Sequence, residues 1–131
     1  MKIALLNDTH FGCRNDSPAF IDYQNRFYDE KFFPYLIENK IDTLIHLGDV
    51  VDRRKFINFN TAHNFQKKFW KRLWDLKIDT HIILGNHDTY YKNTNKVNSI
   101  QQLCTSFDGV NEPWIYDGPK EVELGGCRML F

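Results

Sequence analysis

The 131-residue sequence predicts an α/β fold, a parallel-core sheet with flanking helices, and three observations carry that expectation. Three short apolar runs, Ile3-Ala4-Leu5-Leu6, Leu44-Ile45-His46-Leu47 and His81-Ile82-Ile83-Leu84, each stop abruptly at a polar or glycine-led turn. Longer stretches with apolar residues at helical spacing separate them, so strand and helix alternate, as in a parallel sheet with right-handed crossovers. The three turns are rich in Asp, His and Asn, and ligands of open α/β sheets bind at the carboxyl edge of the strands.

Taken in order, residues 2–6 are apolar throughout, which suits a central strand buried on both faces. Beyond Asp8 and His10, Phe11 and Gly12 lead into a polar loop through Asp16. Ser17-Pro18 marks a helix start, a hydroxyl N-cap followed by proline at the first helical position. Phe20, Tyr23, Phe27 and Tyr28 continue at helical spacing. Pro34 lacks a backbone donor and crowds the preceding turn, which predicts a kink or break near Phe33 and a last helical turn over 35–39. Residues 42–47 are the second strand and 48–58 its loop. The next helix is capped by Asn58 or Asn60 and runs to about Lys77, with Ala62, Phe65, Phe69, Leu73 and Leu76 as its apolar stripe. Trp70 and Trp74 stand roughly 100° off that stripe. They form either a second contact surface or a face covered by the same chain. Residues 79–84 are the third strand and 85–88 its loop. A further helix is expected over 97–107. After Glu112 the texture changes to short β segments at 114–116, 121–124 and 127–131, the last two joined across Gly125-Gly126. Ending on the apolar Met129-Leu130-Phe131, the chain reads as one domain over residues 1–131, incomplete at its C-terminus.

Seventeen basic and 17 acidic residues cancel, so only a local patch can argue for nucleic acid. Three cysteines, Cys13, Cys104 and Cys127, are odd in number and form no CxxC pair, as expected of a reduced, cytoplasmic protein. No apolar run is long enough for a signal peptide or a membrane span.

The turn residues read as a two-metal site. Asp8 and His10, two apart on one turn, can point at a single ion. Asp49 can bridge that ion to a second, because a carboxylate has two oxygens to share, and Asn86 offers the second ion a neutral oxygen. Mixed nitrogen and oxygen ligation suits Mn, Fe or Zn, with Mg possible where carboxylates dominate. Two ions about 3.5–4 Å apart clamp a phosphoryl group and make water a stronger acid. Gly48 and Gly85 leave bare backbone for substrate or metal. His87 is placed to protonate a leaving oxygen or to stabilise charge in the transition state, and Asp88 is expected to orient it. Each piece alone is also an ordinary polar turn; three in order, each at a strand end, argue for a site.

Asp8-Thr9-His10, Gly48-Asp49-Val50-Val51-Asp52-Arg53 and Gly85-Asn86-His87-Asp88 resemble the first three signatures of the calcineurin-like metallophosphoesterases. The Val-Val-Asp-Arg-Arg run after Asp49 is most similar to the SbcD-type DNA repair nucleases and the bacteriophage recombination endonuclease subunits. The resemblance spans residues 1 to about 107. It implies half of a four-layer α/β/β/α sandwich and two divalent ions, manganese foremost, with Fe, Zn or Mg as alternatives. Asp8, His10, Asp49 and Asn86 are then ligands, and His87 with Asp88 the catalytic pair. Asp52 would support the site from behind the ligands. Arg53 would meet a phosphate, with a surface salt bridge as its equal alternative. The implied protein is an exo- or endonuclease subunit of double-strand-break repair. It would act on DNA with an SbcC-like ATPase in the cytoplasm, the host's if the chain is phage-encoded. The implied homodimer would use Trp70, Trp74 and part of 97–107, leaving Lys68, Lys71 and Arg72 in solvent. Another calcineurin-like phosphatase, a nucleotide phosphodiesterase, or a dimerisation or partner-binding fragment are the alternatives. The family's later signatures, a lone His and a His-x-His pair, have no counterpart, because no histidine follows His87. His46 and His81 sit in strands as core histidines, and His63 matches no signature.

Overall fold

The computed structural model describes residues 1–104 and 112–131. Its main sheet contains β1 (Ile3–Leu6), β2 (Thr43–His46), β3 (Asp79–Ile83) and β4 (Trp114–Tyr116), hydrogen-bonded in that order and all parallel. The register puts Leu5 beside Ile45 and Ile45 beside His81. All four residues of β2 are buried, as a central strand requires. Among the described residues β1 lies at the sheet's edge with Leu5 66% exposed, so the expected central position is corrected. Apolarity alone does not separate a central strand from an apolar edge. The 114–116 segment extends the main sheet rather than standing apart from it.

Helix α1 covers residues 18–38 as Pro18–Phe27, a π-helical turn Tyr28–Phe32, and Phe33–Glu38. Ser17 is at the N-cap and Pro18 follows, though the serine side chain makes no capping hydrogen bond. The expected disruption at Phe33 takes the form of the π turn. Pro34 cannot donate to the carbonyl of Glu30, and a wider turn around Glu30 admits the ring without breaking the helix.

Helix α2 covers residues 59–75 as Phe59–Phe65, a second π turn Gln66–Trp70, and Lys71–Asp75. Asn58 caps it, its side chain accepting from the Asn60 N–H at 2.9 Å. A π turn adds a residue and rotates the downstream part of the helix by roughly 100° relative to a regular one. That rotation brings Trp70 into the core beside Phe69 and Leu73, 3% exposed, so Trp70 is not an interface anchor. Lys68 and Arg72 both pair with Asp29 of α1, and the Arg72 guanidinium lies 3.9 Å over the Phe33 ring. They tie the two helices together at the surface, with both side chains still partly in solvent. Helix α3 is Ser99–Leu103, capped by the Asn98 side chain. It is shorter than the expected helix, whose residues 105–107 lie outside the described residues.

Leu44 and Ile82 join side chains of α1, α2 and α3 in one core cluster. Phe11, delivered by the loop after β1, contacts Tyr28, Phe65 and Phe69 with ring centroids 4.9–5.8 Å apart. Such contacts add about 0.5–1.5 kcal/mol each beyond area burial and anchor that loop. On the other face, β5 (Glu121–Leu124) and β6 (Cys127–Leu130) form an antiparallel hairpin. Gly125 and Gly126, φ +55° and +82°, supply the positive φ its tight turn demands. Phe131 stacks 4.6 Å from Tyr116 and 6.0 Å from His81. No helix among the described residues is long and apolar enough to cross a membrane.

Both strand histidines are satisfied by the protein. His81 meets the Tyr116 hydroxyl at 2.6 Å through Nδ1 and Asp79 at 3.2 Å through Nε2. His46 accepts from the Gly48 N–H at Nδ1, which leaves Nε2–H to meet the Thr9 hydroxyl at 3.0 Å. Burial pushes the His46 pKa down to about 4. The folded chain thus holds His46 neutral, whereas the unfolded chain protonates it below about pH 6.5. The associated stability is present above that pH and lost as pH falls toward 4. Urea unfolding should register about 2 kcal/mol less stability at about pH 5 than at about pH 7.5. A flat profile over that interval would contradict this account.

Candidate active site

Three loops leave the carboxyl ends of β1, β2 and β3 and are sewn to one another by backbone. The N–H groups of Asp8, His10 and Phe11 donate to the carbonyls of Gly48, Asp49 and Val50 at 3.2, 3.0 and 2.8 Å. The first loop therefore runs alongside the second as a continuation of the sheet. Asp88 joins the second loop to the third. Its Oδ1 accepts from the N–H groups of Val50 (2.8 Å) and Val51 (3.1 Å), and its Oδ2 from that of Gly85 (3.0 Å). Asp88 is fully buried. Burial pushes its carboxyl pKa up, against the three N–H donors, which pull it down.

This packing corrects the expected role of the two glycines. A Cβ on Gly48 would lie 2.8 Å from the Gly85 nitrogen, and one on Gly85 would lie 2.2 Å from the nitrogen and Oδ1 of Asp49. Their bare backbones let the second and third loops touch, rather than making room for a ligand.

Asp8, His10 and Asp49 all adopt left-handed backbone, with φ of 50°, 42° and 52°. Non-glycine residues accept that strain where the surroundings enforce it, commonly at functional sites. The effect is convergence. His10 Nε2 is 3.6 Å from Asp8 Oδ1 and 3.9 Å from Asp49 Oδ2. One ligand atom from each of the three lies within 4.8 Å of the others, and the same holds for His10, Asp52 and His87. Asn86 sets its amide against the Asp49 carboxylate. Its NH2 turned inward reaches Oδ1 at 3.3 Å and Oδ2 at 3.2 Å, and its oxygen turned inward would serve a cation. Among the described residues no Lys or Arg pairs with Asp8, Asp49, Asp52 or Asp88. Converging carboxylates, an imidazole and an amide oxygen, with no resident side-chain cation, fit a hard or borderline divalent metal. His10 Nδ1 is buried without a hydrogen bond, 3.5 Å from Asp52 Oδ1. A ligating histidine ordinarily offers its second nitrogen to such a carboxylate.

The profile of the calcineurin-like phosphoesterase family matches residues 1–126. The chain belongs to that family. It is also 34% identical over 129 residues to exonuclease subunit 1 of Enterobacteria phage T4, an alignment covering 98% of this chain and 37% of that protein. The chain thus spans just over a third of that relative's length.

Within this calcineurin-like phosphoesterase, His87 does not pair with Asp88, contrary to expectation. The Asp88 oxygens are taken by backbone donors, and His87 Nδ1 bonds instead to the Asp52 carbonyl at 2.5 Å. A carbonyl only accepts, so Nδ1 carries the proton and Nε2 remains the nitrogen free to exchange one. The His87 N–H donates to Asp49 Oδ1 at 2.9 Å, tying the base of that residue to the Asp49 carboxylate. Arg53 takes the salt-bridge alternative, bonding Asp16 at 2.7 Å, with a second bond to Asn15.

That bridge steadies a left-handed turn, Cys13–Asp16, in which Arg14, Asn15 and Asp16 all have φ near +55°. Left-handed helix costs about 1–2 kcal/mol per residue, and Arg53 with Thr61, 2.6 Å from Asp16, offsets it. Two contributions had no clear sequence signal: the Asp52 carbonyl that fixes His87, and the Thr9 hydroxyl, which links His46 to the Val50 carbonyl.

Proposed function

We propose that this chain carries the metal-binding loops of a two-metal phosphodiesterase, a nuclease subunit acting on DNA. The convergence of Asp8, His10, Asp49 and Asn86 beside His87, from three strand ends, is the observation that carries the reading. Asp8 and His10 would hold one ion, Asn86 would serve the second, and Asp49 would be shared between them. Manganese is the first expectation, with Fe, Zn or Mg behind it. When bound, the ions supply positive charge against the phosphoryl oxygens and acidify water. When its ring is protonated at both nitrogens, His87 gives the Nε2 proton to the leaving oxygen and keeps Nδ1–H on the Asp52 carbonyl, which holds the ring. Asp52 keeps His10 oriented through the carboxylate beside its Nδ1. Asp88 acts as a positioning residue, fixing the backbone on which Asp49 and His87 stand.

The name of the relative, an exonuclease subunit, supports a DNA substrate and a protein partner. An SbcC-like ATPase, a homodimer and a cytoplasmic setting follow from the SbcD resemblance, and the homodimer does so without Trp70. Isothermal titration of Mn2+ into this chain and into Asp49→Ala, with hydrolysis of bis(p-nitrophenyl) phosphate followed in parallel, tests the reading. Mn2+ binding is expected for the wild type and should be lost in Asp49→Ala, together with whatever Mn2+-dependent hydrolysis the chain supports. Unchanged Mn2+ affinity in Asp49→Ala would overturn the two-metal assignment.

A further inference from the structure

Beside the second loop, bounded by Tyr90 and α3, lies a cavity of about 180 Å³. Its interior is apolar, with Val51, Ile57 and Leu103 among its walls. Two aromatic rings rise at its mouth, Phe56 at 66% exposure and Tyr90 at 37%. Arg53, Arg54 and Lys55 stand along the same rim, and no carboxylate lines the cavity. In a chain whose charges cancel overall, this is a local cationic patch interleaved with aromatics. The cations already lie over the rings: Arg53 is 5.0 Å from the Phe56 centroid and Lys55 Nζ 5.6 Å from that of Tyr90.

We infer that this cavity is a subsite for one unpaired nucleotide of the substrate strand, its base against Tyr90 and Phe56 and its phosphates on Arg54 and Lys55. The inference rests on the phosphodiesterase reading of the adjoining loops. Three physical arguments select the occupant. The cavity is smaller than the roughly 300–1,000 Å³ of pockets for drug-sized ligands, and so takes a single ring system. A base within a duplex has both faces covered by its neighbours, so only an unpaired base can offer a face to an aromatic ring. Arg54 and Lys55, on a rim whose Arg53 is already paired with Asp16, suit phosphates, which position a strand without reading it.

Location joins the cavity to the chemistry. Val51 and Arg53 flank Asp52, whose carbonyl holds His87, and Tyr90 lies two residues beyond Asp88. A strand whose phosphate reaches His87 therefore has its neighbouring nucleotide at the cavity. The Asn98 side chain is engaged at both ends, accepting from the Gln101 N–H and donating to the Asn95 carbonyl. Stacking, which tolerates any base, carries recognition here.

The test compares two fluorophore-labelled single strands of equal length at one salt concentration, oligothymidylate and its abasic counterpart, by anisotropy with the wild-type chain. The thymidylate strand should bind about tenfold tighter or more, as expected for a stacked base. Tyr90→Ala should bring it to the abasic level, and Tyr90→Phe should preserve the preference. Lys55→Ala should weaken both strands and make the salt dependence shallower by about one phosphate contact. Equal affinity of the wild type for both strands overturns the subsite without needing any variant to fold. Hydrolysis of bis(p-nitrophenyl) phosphate separates the two readings. A chain that hydrolyses it but does not distinguish the strands loses only the subsite. A chain that distinguishes them without hydrolysis keeps the subsite and loses the phosphodiesterase reading.

Discussion

His87→Ala should slow phosphodiester cleavage by about 10²–10⁴, the usual contribution of a positioned proton donor, and leave Mn2+ affinity nearly unchanged. The separation follows from how His87 is held. Its side chain contributes a ring whose Nδ1 is committed to the Asp52 carbonyl, whereas its contact with Asp49 runs through the backbone N–H. Alanine removes the ring and keeps the N–H. Asp8, His10 and Asp49 thus retain their mutual geometry, and only the group exchanging a proton at Nε2 disappears. Initial rates on a single-stranded oligonucleotide, set beside a calorimetric Mn2+ titration, measure both halves. Wild-type turnover in the variant would remove His87 from the reaction. A collapse of Mn2+ affinity would make it a ligand instead.

Asp88→Ala should destabilise the chain by about 3–5 kcal/mol, because two buried N–H groups and a part-buried one lose their acceptor at about 1–3 kcal/mol each, partly relieved by relaxation. Val50, Val51 and Gly85 are the residues affected, and no water-facing route serves a side chain as buried as Asp88. The loss is large against the roughly 5–15 kcal/mol that holds a domain together. Asp88→Asn should cost less. Its amide oxygen can still accept from Val50 and Val51, while its NH2 confronts the Gly85 N–H, donor against donor. Urea unfolding of the two variants gives the ordering. A loss below about 1 kcal/mol for Asp88→Ala would mean that other acceptors hold the loops.

The strands of the sheet's first three positions were legible because each is a short apolar run closed by a polar turn, and local pattern suffices for that. Convergence of Asp8, His10 and Asp49 was legible too, since parallel strands put their carboxyl ends on one edge. The features that escaped depend on events that leave no local mark. The π turn at Gln66–Trp70 rotates Trp70 into the core, and a helical wheel drawn at 3.6 residues per turn cannot contain it. Trp114–Tyr116 is only three residues long, and its membership of the main sheet is decided by pairing with His81–Ile83, far back in the chain. Asp88 stands next to His87 in sequence, which invited a pairing. In space its partners come from the second loop and from Gly85. Arg53 had two readings of equal standing, and the left-handed turn carrying Asp16 decided between them.

The sheet register has a kinetic meaning as well. Ile3 pairs with Thr43, and Thr43 with Asp79, so each ladder joins residues about forty positions apart. Contacts so distant in sequence form only after a large loss of chain entropy, and folds dominated by them are slow to reach the native state. Asp8, Asp49 and Asn86 ride on the ends of those same three strands, and Asp88 can close its bonds only once the second and third loops have met. No early helical intermediate can therefore hold a preassembled metal site. During refolding, Mn2+ uptake should lag behind the rise of helical circular dichroism and coincide with the final, slowest phase.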